Sequence, residues 1–507
     1  MQAVVDTLSG IIWSPALVWL ALGAGVFFSI QTRLVQVRLF REMIRLLFRG
    51  QASEKGISTF QALAVSLSGR VGTGNIAGVA AAIGFGGPGA VFWMWVVAFL
   101  GASTAYVESA LGQIYKEEDE GQYRGGPAYF IEKALGQKWY AWLFAITTIV
   151  ATGLLLPGVQ SNSISSAAEV AFGAETVVDT VVGTVSVTKI VTAIGVVTVL
   201  GFIIFGGVKR IAHFTQIVVP FMALAYIVTA CAVIALNIDE LPRVFGMIVA
   251  GSFTSEAAFG AAIGWGVRRG IYSNEAGQGT GPHAAAAAEV EHPAQQGLVQ
   301  AFSVYIDTLF VCSATAFMIL ITGAYNVYAP DGVTLLVQNV PVELDPNSPA
   351  FTQYALDSVV SGVGKPFVAI ALFFFAFTTL LAYYYIAETN VAYIRRYVRV
   401  PGMMFALKLG LMASVFYGAV RTASLAWGLG DIGVGLMAWL NIIAILIIFF
   451  VAKPALTALR DYEAQRRQGV EHYTFDPEKF GLRNAHFWTE RNAESRSTTG
   501  QPSDGSR

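Results

Sequence analysis

Charged residues are scarce in this chain. Only 13% of its 507 residues are Asp, Glu, Lys or Arg, which is about half the share of a typical soluble protein. Hydrophobic residues make up 55%, and the mean hydropathy is +0.59. Lys and Arg number 32 against 33 Asp and Glu, so the chain lacks the basic excess that nucleic-acid binding requires. The composition predicts a polytopic, all-α membrane protein and excludes nucleic acid as a partner.

Motifs for metals, nucleotides and disulfides are also missing. The two cysteines, Cys231 and Cys312, lie far apart in apolar runs and form no CxxC pair, so they predict no disulfide framework. There is no GxxxxGK[ST] loop and no HExxH, and the five histidines fall in loops, helix ends or the tail. An intramembrane enzyme would need a nucleophile and a base, but Ser68, near Arg70, has no histidine near it in sequence. We therefore expect no cofactor, no ATP-driven pumping and no enzymatic activity.

Long uncharged runs predict eleven transmembrane helices, since about 20 helical residues cross a bilayer core. The first run has no small-residue cleavage site, so we expect a retained helix and not a signal peptide. The predicted crossings are 7–32, 57–83, 90–115, 139–168, 190–208, 211–238, 257–272, 297–322, 366–393, 403–420 and 432–451.

Basic residues orient these crossings, because Lys and Arg in short loops stay cytoplasmic. Five arginines in 33–49 follow the first helix, which places the N-terminus outside. Alternation then makes 116–138, 209–210, 268–269, 395–399 and the tail from 453 cytoplasmic, and it leaves the acidic loop 326–364 outside. Only Arg421 falls on the unexpected side. The predicted divisions are an extra helix (1–32), a cytoplasmic linker (33–55), a ten-helix core (56–453) and a partly ordered cytoplasmic tail (454–507).

The linker is amphipathic. Apolar residues at helical spacing alternate with arginines, and this pattern predicts a helix in the plane of the cytoplasmic interface. A peptide-binding role would give the same pattern. The apolar positions are Leu34, Val37, Phe40, Ile44 and Phe48.

Glycines interrupt the second predicted helix at Gly69, Gly72 and Gly74. Each costs a helix about 1 kcal/mol relative to alanine, and irregular backbone at this depth occurs where it lines a cavity or is buried in protein. Small residues also serve close helix packing, but packing does not require the neighbouring Arg70 and Asn75. We therefore predict a broken helix.

The seventh predicted helix is short and repeats a G-x-G pattern at Gly264-Trp265-Gly266. The two interruptions are five crossings apart, so their helices run in opposite directions. Paired broken helices in inverted repeats are typical of secondary transporters. The first helix would then be additional to a five-plus-five core.

A broken helix offers two kinds of site. The N–H groups around Thr73 and Gly74 begin the outer half-helix and suit a carboxylate, whereas the C=O groups of Ser68 and Val71 end the inner half and suit a cation. An alkali cation needs further neutral oxygens, and Thr378-Thr379 in the ninth helix could supply them. Alternatively, these threonines bond back to their own helix.

Several blocks resemble the alanine or glycine:cation symporters, also called sodium:alanine symporters. These blocks are RVGTGNIAGVA (70–80), GGPGAVFWMW (86–95), GGP (125–127), SNEAG (273–277) and FAFTT (375–379). The resemblance implies the leucine-transporter fold, with inverted repeats at about 56–238 and 257–453 preceded by one extra helix.

The resemblance also implies site residues. Those expected at the substrate are Thr73, Gly74, Asn75, Gln160, Ile263, Gly264, Trp265 and Tyr383, with Ile263, Gly264 and Trp265 in the opposing break. Those expected at sodium are Ser68, Val71, Thr378 and Thr379. Many members have Gly-Trp where this chain has Ala382-Tyr383, which leaves alanine, glycine, serine and glutamine open as substrates.

Charges within apolar runs need partners, because an unpaired charge there costs about 2.5 to 3.5 kcal/mol. Arg70, Glu108, Asp307 and Glu388 are of this kind. We expect Arg70 to pair with Glu108, Glu388 or Glu275 and to gate the inner path, although a static structural pair would look the same in sequence.

Together these features predict a sodium symporter that takes up a small neutral amino acid, alanine or glycine foremost, by alternating access. It would lie in the plasma membrane of a prokaryote, the inner membrane if Gram-negative, with lipid, sodium and the amino acid as partners. No pattern indicates an oligomeric state. Proton coupling through Glu108 or Glu388 is an alternative, as are glutamine or serine as substrates. A channel or receptor would need a pore or a signalling domain that the sequence does not show.

Overall fold

The computed structural model describes residues 2–50, 52–174, 176–180, 183–253 and 256–498, and these form a helical bundle. Eight helices in this part of the chain are long and apolar enough to cross a membrane. This confirms the predicted helical, multi-pass class. The eight are Gln2–Gln31, Gly89–Ile114, Lys138–Phe172, Val187–Ile204, Lys209–Leu236, Pro293–Thr322, Gly364–Arg395 and Ala423–Ala452.

The elements are numbered in chain order. The helices are α1 Gln2–Ile12, α2 Pro15–Gln31, α3 Val35–Arg38, α4 Phe40–Leu47, α5 Thr59–Arg70, α6 Ala77–Gly86, α7 Gly89–Ile114, α8 Pro127–Leu135, α9 Lys138–Val150, α10 Leu156–Phe172, α11 Val187–Ile204, α12 Val208–Leu236, α13 Leu241–Gly251, α14 Glu256–Asn274, α15 Gly281–Ala287, α16 Pro293–Tyr305, α17 Ser313–Thr322, α18 Ala350–Val359, α19 Gly364–Arg395, α20 Met403–Ala419, α21 Ala423–Ala452, α22 Pro454–Arg467 and α23 His486–Thr498.

Three short antiparallel hairpins lie between helices. They pair β1 (Glu117–Asp119) with β2 (Gln122–Arg124), β3 (Val177–Thr180) with β4 (Gly183–Ser186), and β5 (Asn326–Tyr328) with β6 (Leu335–Gln338). The π-helical turns Ala151–Leu155 and Ile306–Cys312 join α9 to α10 and α16 to α17.

The first predicted crossing consists of two helices that meet at Ser14, where Pro15 begins α2. Trp13 at this joint is buried, and its indole N–H donates to the Asp431 carbonyl at 2.8 Å. The N-terminal helix is therefore fixed to α21.

Ion pairs between separate segments mark one end of the bundle, and a long loop packs on the other. At one end, Arg38 pairs with Glu463 at 2.7 Å and Arg396 pairs with Glu117 at 3.2 Å; we call this the basic end. At the other, Trp427 donates to the Asn347 carbonyl at 2.7 Å in the long loop that follows α17; we call this the loop end.

The linker forms α3 and α4 after a tight turn in which Arg33 and Leu34 have positive φ angles of 55° and 53°. Its predicted apolar face is exposed: Val37 is 54% and Phe48 is 81% accessible. The opposite face packs on the bundle through residues such as Met43. An exposed apolar stripe beside the bundle is the arrangement expected of an interfacial helix.

The C-terminal segment folds back onto the basic end as far as Thr498. Its Trp488 is only 1% exposed and donates to the Gln113 carbonyl at 2.9 Å, and Tyr462 donates to Glu42 at 2.7 Å. The tail is thus packed more extensively than its polar sequence indicates. Residues 499–507 lie outside the described part.

Candidate functional site

The predicted first break lies between α5 and α6. A capping box begins α5, in which Ser58 Oγ accepts from Gln61 N at 3.2 Å and Gln61 Oε1 accepts from Ser58 N at 3.0 Å. The helix ends at Arg70, a single 3-10 turn spans Thr73–Asn75, and α6 follows. The glycine-rich sequence therefore forms two half-helices with a short irregular segment between them.

Gly72 is required at this break by close approach. A Cβ atom at Gly72 would overlap the Thr379 hydroxyl and would come within 3.1 Å of Gln160 Oε1. A larger side chain would require the Thr379 and Gln160 side chains to shift. The backbone of the irregular segment and the side chains of two helices, α10 and α19, thus meet at one point.

Hydrogen bonds hold the irregular segment. Gly72 N donates to Asn75 Oδ1 at 2.8 Å, and Thr73 N donates to Gln160 Oε1 at 3.1 Å. The Thr379 hydroxyl donates to the Ser68 carbonyl at 2.8 Å. The structure therefore brings together Ser68, Thr73, Asn75, Gln160 and Thr379.

Thr378 is oriented differently from Thr379. Its hydroxyl donates within α19, to the Phe374 and Phe375 carbonyls at 3.0 Å each. Back-bonding, the alternative interpretation of this pair, therefore applies to Thr378. Thr379 makes one such bond, also to Phe375 at 3.0 Å, besides its bond to Ser68.

The second break does not lie where the sequence predicted it. The helix α14 continues through Ile263, Gly264 and Trp265, so the expected break at Gly264-Trp265-Gly266 is wrong. Gly266 serves packing, because a Cβ there would lie 2.5 Å from the Ala90 carbonyl, whereas a Cβ at Gly264 would meet nothing within 4 Å. Small residues that let helices approach closely are common in membrane bundles.

The chain leaves its helical path between α14 and α15 instead. Glu275, Gly277 and Gly279 have positive φ angles of 58°, 83° and 85°. Glycine adopts this region readily, whereas glutamate does so rarely. The run of Gly277, Gly279 and Gly281-Pro282 was the signal in sequence that could have located this break.

Glu108 in α7 supports the second break. Its carboxylate accepts from the backbone N–H groups of Gly277 and Gly279, each at 3.2 Å, and from Asn441 Nδ2 at 2.6 Å. Asn441 also donates to the Gly277 carbonyl at 2.9 Å. The partners of this buried carboxylate are therefore backbone and amide groups.

Arg70 makes no ion pair with a described residue. Its Nη1 donates to the Gln300 carbonyl at 3.0 Å and to the Ser303 hydroxyl, while Nε and Nη2 have no hydrogen-bond partner in the described part of the chain. The expected direct pairing of Arg70 with a carboxylate is thus not present in this conformation.

The other two gating candidates lie apart from each other. Glu388 faces Arg124, whose Nη2 lies 3.6 Å from its carboxylate. Glu275 accepts from the Thr280 hydroxyl at 2.9 Å, and its carboxylate oxygens would be 3.2 and 3.3 Å from a Cβ at Gly69. Glu275 is therefore the candidate that lies against the first break.

Asp307 links the two breaks. Its Oδ1 accepts from Asn75 Nδ2 at 2.6 Å and from the Ser273 hydroxyl at 3.0 Å, and its Oδ2 accepts from Thr308 at 2.8 Å. It lies on the π-helical turn Ile306–Cys312, and such turns are frequent at functional sites. We expected a buried charge at Asp307 but did not place it at the site.

Several buried polar atoms at the breaks have no hydrogen-bond partner among the described residues. They are Thr73 Oγ1, the Tyr272 hydroxyl and Glu275 Oε1. The hydroxyls of Tyr272 and Tyr383 both lie beside the Gln160 side chain. Because buried polar groups normally have partners, these atoms mark a place where a polar ligand would be held. Tyr272 is a neighbour of Gln160 that the sequence did not single out.

A buried ion pair joins α14 to α21 near Trp427 of the loop end. Arg269 Nη1 lies 2.9 Å from Asp431 Oδ1, Arg269 Nη2 lies 3.1 Å from Oδ2, and Arg268 also bonds to Oδ2. The Trp427 ring stacks on Arg269 at 4.2 Å. The assignment of Arg268 and Arg269 to a cytoplasmic loop is therefore wrong, since both belong to α14 and are neutralised by a carboxylate of α21.

Comparison with known proteins gives consistent matches over nearly the whole chain. A model of the sodium:alanine symporter family matches residues 1–477. The "Putative sodium/proton-dependent alanine carrier protein YrbD" of Bacillus subtilis is 58% identical over 96% of this chain and 98% of its own length. The "Sodium/proton-dependent alanine carrier protein" of Bacillus sp. (strain PS3) is 50% identical over 88% and 97%. The "Probable sodium/glutamine symporter GlnT" of Bacillus subtilis is 40% identical over 93% of each chain.

Proposed function

Because the chain belongs to the sodium:alanine symporter family, we propose that it takes up alanine together with sodium by alternating access. The predicted family and the predicted alanine:cation symport are confirmed by the family match and the relatives. The single observation that carries the mechanism is the pair of broken helices, α5–α6 and α14–α15, joined through Asn75 and Asp307.

We further propose eleven crossings. The two broken helices and the short apolar α20 would add three to the eight long spans. The second to sixth and seventh to eleventh crossings would be the inverted repeats, at about 56–238 and 257–453, with α1–α2 as the extra helix. The basic end would be cytoplasmic, as the charge rule requires, with the N-terminus outside the plasma membrane, or inner membrane, of a prokaryote.

The substrate site would lie between the two breaks. Thr73, Gly74 and Asn75 would present the N-terminal end of α6 to the alanine carboxylate, since helix N-termini favour anions. Gln160 now holds Thr73 N and would release it to the substrate. The unpartnered Glu275 Oε1 supports a position for the ammonium group, and Tyr272 and Tyr383 would limit the side chain.

Ile263, Gly264 and Trp265 enter this proposal differently from the sequence prediction. Trp265 stacks on Phe85 with ring centroids 4.7 Å apart, at the loop end of α6. These residues would cover the site and not coordinate substrate. Residues 273–280 would instead line the substrate site at the opposing break.

The sodium ion would lie at the end of α5, among the carbonyls of Ser68 and Val71 and the hydroxyls of Thr378 and Thr379. The Thr379 hydroxyl is already directed at the Ser68 carbonyl. Rotation of these hydroxyls would turn their oxygens to the cation, and neutral oxygens suit a hard ion. One charge that crosses 100 mV contributes about 2.3 kcal/mol, which can drive accumulation without ATP.

Purified protein in liposomes tests the coupling. Labelled alanine should accumulate under an inward sodium gradient and not under an inward proton gradient in sodium-free buffer. Equal uptake under the proton gradient alone would favour the proton-coupled alternative. Competition by unlabelled glycine, serine and glutamine then ranks the substrates.

A matched pair of variants tests the sodium site. Thr379→Ala should raise the sodium concentration for half-maximal uptake about tenfold or more, as loss of one ligand predicts. Thr389→Ala, in the same helix, removes a hydroxyl whose one hydrogen bond among the described residues is to the Tyr385 carbonyl at 2.9 Å, and it should leave this concentration unchanged. An unchanged sodium dependence in Thr379→Ala would place the ion elsewhere.

A further inference from the structure

A basic cleft lies at the basic end, between the turn that joins α2 to α3 and the helix α22. Its volume is about 210 Å³. Four arginines and a single carboxylate line it, together with uncharged residues of α2 and α22. The charged residues are Arg33, Arg38, Arg460, Arg467 and Glu463.

The charges in this cleft do not balance. Glu463 Oε1 accepts from Arg38 at 2.7 Å, and Glu463 Oε2 lies 3.8 Å from Arg467. Arg33 and Arg460 are exposed and form no ion pair with another described residue. Four positive groups thus share one negative group. Guanidinium groups are well suited to bind phosphate oxygens.

Exposed apolar side chains border the cleft on the side of α2. Val26 and Ile30, four residues apart on one helix face, are 45% and 66% exposed, and Leu34 and Val37 of the adjoining turn and helix are 46% and 54% exposed. Lipid acyl chains would cover this strip in a membrane. A ligand that matches both features carries a negative headgroup next to a hydrocarbon tail.

We propose that this cleft is a specific site for the headgroup of an anionic phospholipid. Its phosphate lies between Arg33 and Arg460, and its acyl chains lie along Val26 and Ile30. Basic pockets beside transmembrane helices on the cytoplasmic side bind such headgroups in other membrane proteins. The bound lipid connects the N-terminal helix to α22 without touching the transport site.

Lipid titration of the full-length protein in detergent tests the site, with the thermal unfolding midpoint as readout. Phosphatidylglycerol should raise the midpoint saturably, and phosphatidylcholine should not. Arg33→Gln/Arg460→Gln should weaken phosphatidylglycerol binding about 25-fold, since each arginine near an anionic headgroup contributes about fivefold. Glu463→Gln should strengthen it about fivefold for the same reason.

The matched control is Arg399→Gln/Arg483→Gln, which removes two exposed arginines from other segments of the basic end. It should retain wild-type affinity, and Arg33→Lys/Arg460→Lys should lose less than the glutamine pair. Equal weakening in the control would show diffuse surface attraction and overturn the site. Displacement of the lipid by millimolar inorganic phosphate, or equal stabilisation by phosphate, would show a free-anion site and overturn the lipid assignment.

Discussion

Gly72 sets the geometry of the first break, because its missing side chain leaves room for both Thr379 and Gln160. Gly72→Ala should force these side chains away, at a cost of about 1–3 kcal/mol for overpacking. We expect alanine uptake to fall below about a tenth of wild type. Gly195→Ala is the control, since a Cβ there meets nothing within 4 Å. Normal uptake by Gly72→Ala would show that the two contacts are dispensable.

Glu108 is predicted to stabilise the second break and not to carry protons. The Glu108 carboxylate accepts hydrogen bonds from donors that include Gly279 N and Asn441 Nδ2. In Glu108→Gln, the amide NH₂ group, itself a donor, would face such donors. One buried donor left without an acceptor costs about 1–3 kcal/mol, so the thermal unfolding midpoint should decrease.

The comparison variant is Glu118→Gln, whose carboxylate lies on an exposed hairpin and pairs only with Lys55 among the described residues. It should leave the unfolding midpoint nearly unchanged. If Glu108→Gln had a normal midpoint but lost the pH dependence of uptake, proton coupling through Glu108 would be the better explanation.

Individual residues of the first break were predictable because the glycines and the polar side chains are adjacent in sequence. Their partners were not. Asn75 bonds to Asp307, which lies 232 positions away, and Arg70 bonds to Gln300 and Ser303. A sequence shows that a buried polar group needs a partner, but it does not show which distant helix supplies one.

At the scale of helices, glycine spacing alone could not distinguish a break from a packing contact. Gly266 permits α14 to approach Ala90 of α7, whereas Gly277 and Gly279 adopt left-handed backbone angles. Both patterns contain G-x-G. The difference depends on what lies opposite each glycine, which is a property of the folded bundle.

The pair formed by Arg269 and Asp431 joins α14 to α21, and we predict that it keeps the loop end closed. Removal of one partner of a buried pair costs about 3–5 kcal/mol, so Asp431→Asn should favour opening. The readout is alkylation of Cys312, which is buried beside Ser273, in a Cys231→Ser background. Alkylation should be faster in this variant than in the parent, which is the Cys231→Ser protein that retains Asp431.

Asp357→Asn is the matched control, because Asp357 pairs at 3.9 Å with the partly exposed Lys365. Its Cys312 should react at the parent rate. Equal rates in Asp431→Asn and the parent would mean that the pair does not limit access from this end.

For the whole molecule, composition and uncharged runs were sufficient to predict the membrane class and most of the long helices. The packing of the C-terminal segment was not predictable in the same way. Tyr473, Phe475 and Trp488 are buried there, yet they are scattered among charged residues without a helical period. Their burial depends on the surface that the end of α7, His292 before α16, and α22 create.

We predict that His292 makes this packing depend on pH. Its Nδ1 accepts from Ala294 N at 3.1 Å, so Nε2 carries the proton and donates to Asp461 of α22 at 3.2 Å. Burial lowers the pKa of His292. The docked segment therefore binds fewer protons than the undocked one, and docking should weaken as the pH falls below about 6.5, the ordinary histidine pKa.

Hydrogen–deuterium exchange of residues 470–498 measures this effect, at pH 7.5 and 5.5 and corrected for the intrinsic rate. The pair of His472 and Glu291 acts in the opposite direction, because the carboxylate raises the pKa of His472, so the experiment uses a His472→Gln background. Protection should be lower at pH 5.5. In His292→Asn, whose amide can still cap Ala294 N, the difference between the two pH values should disappear. A difference that persists in His292→Asn would assign the titration to another group.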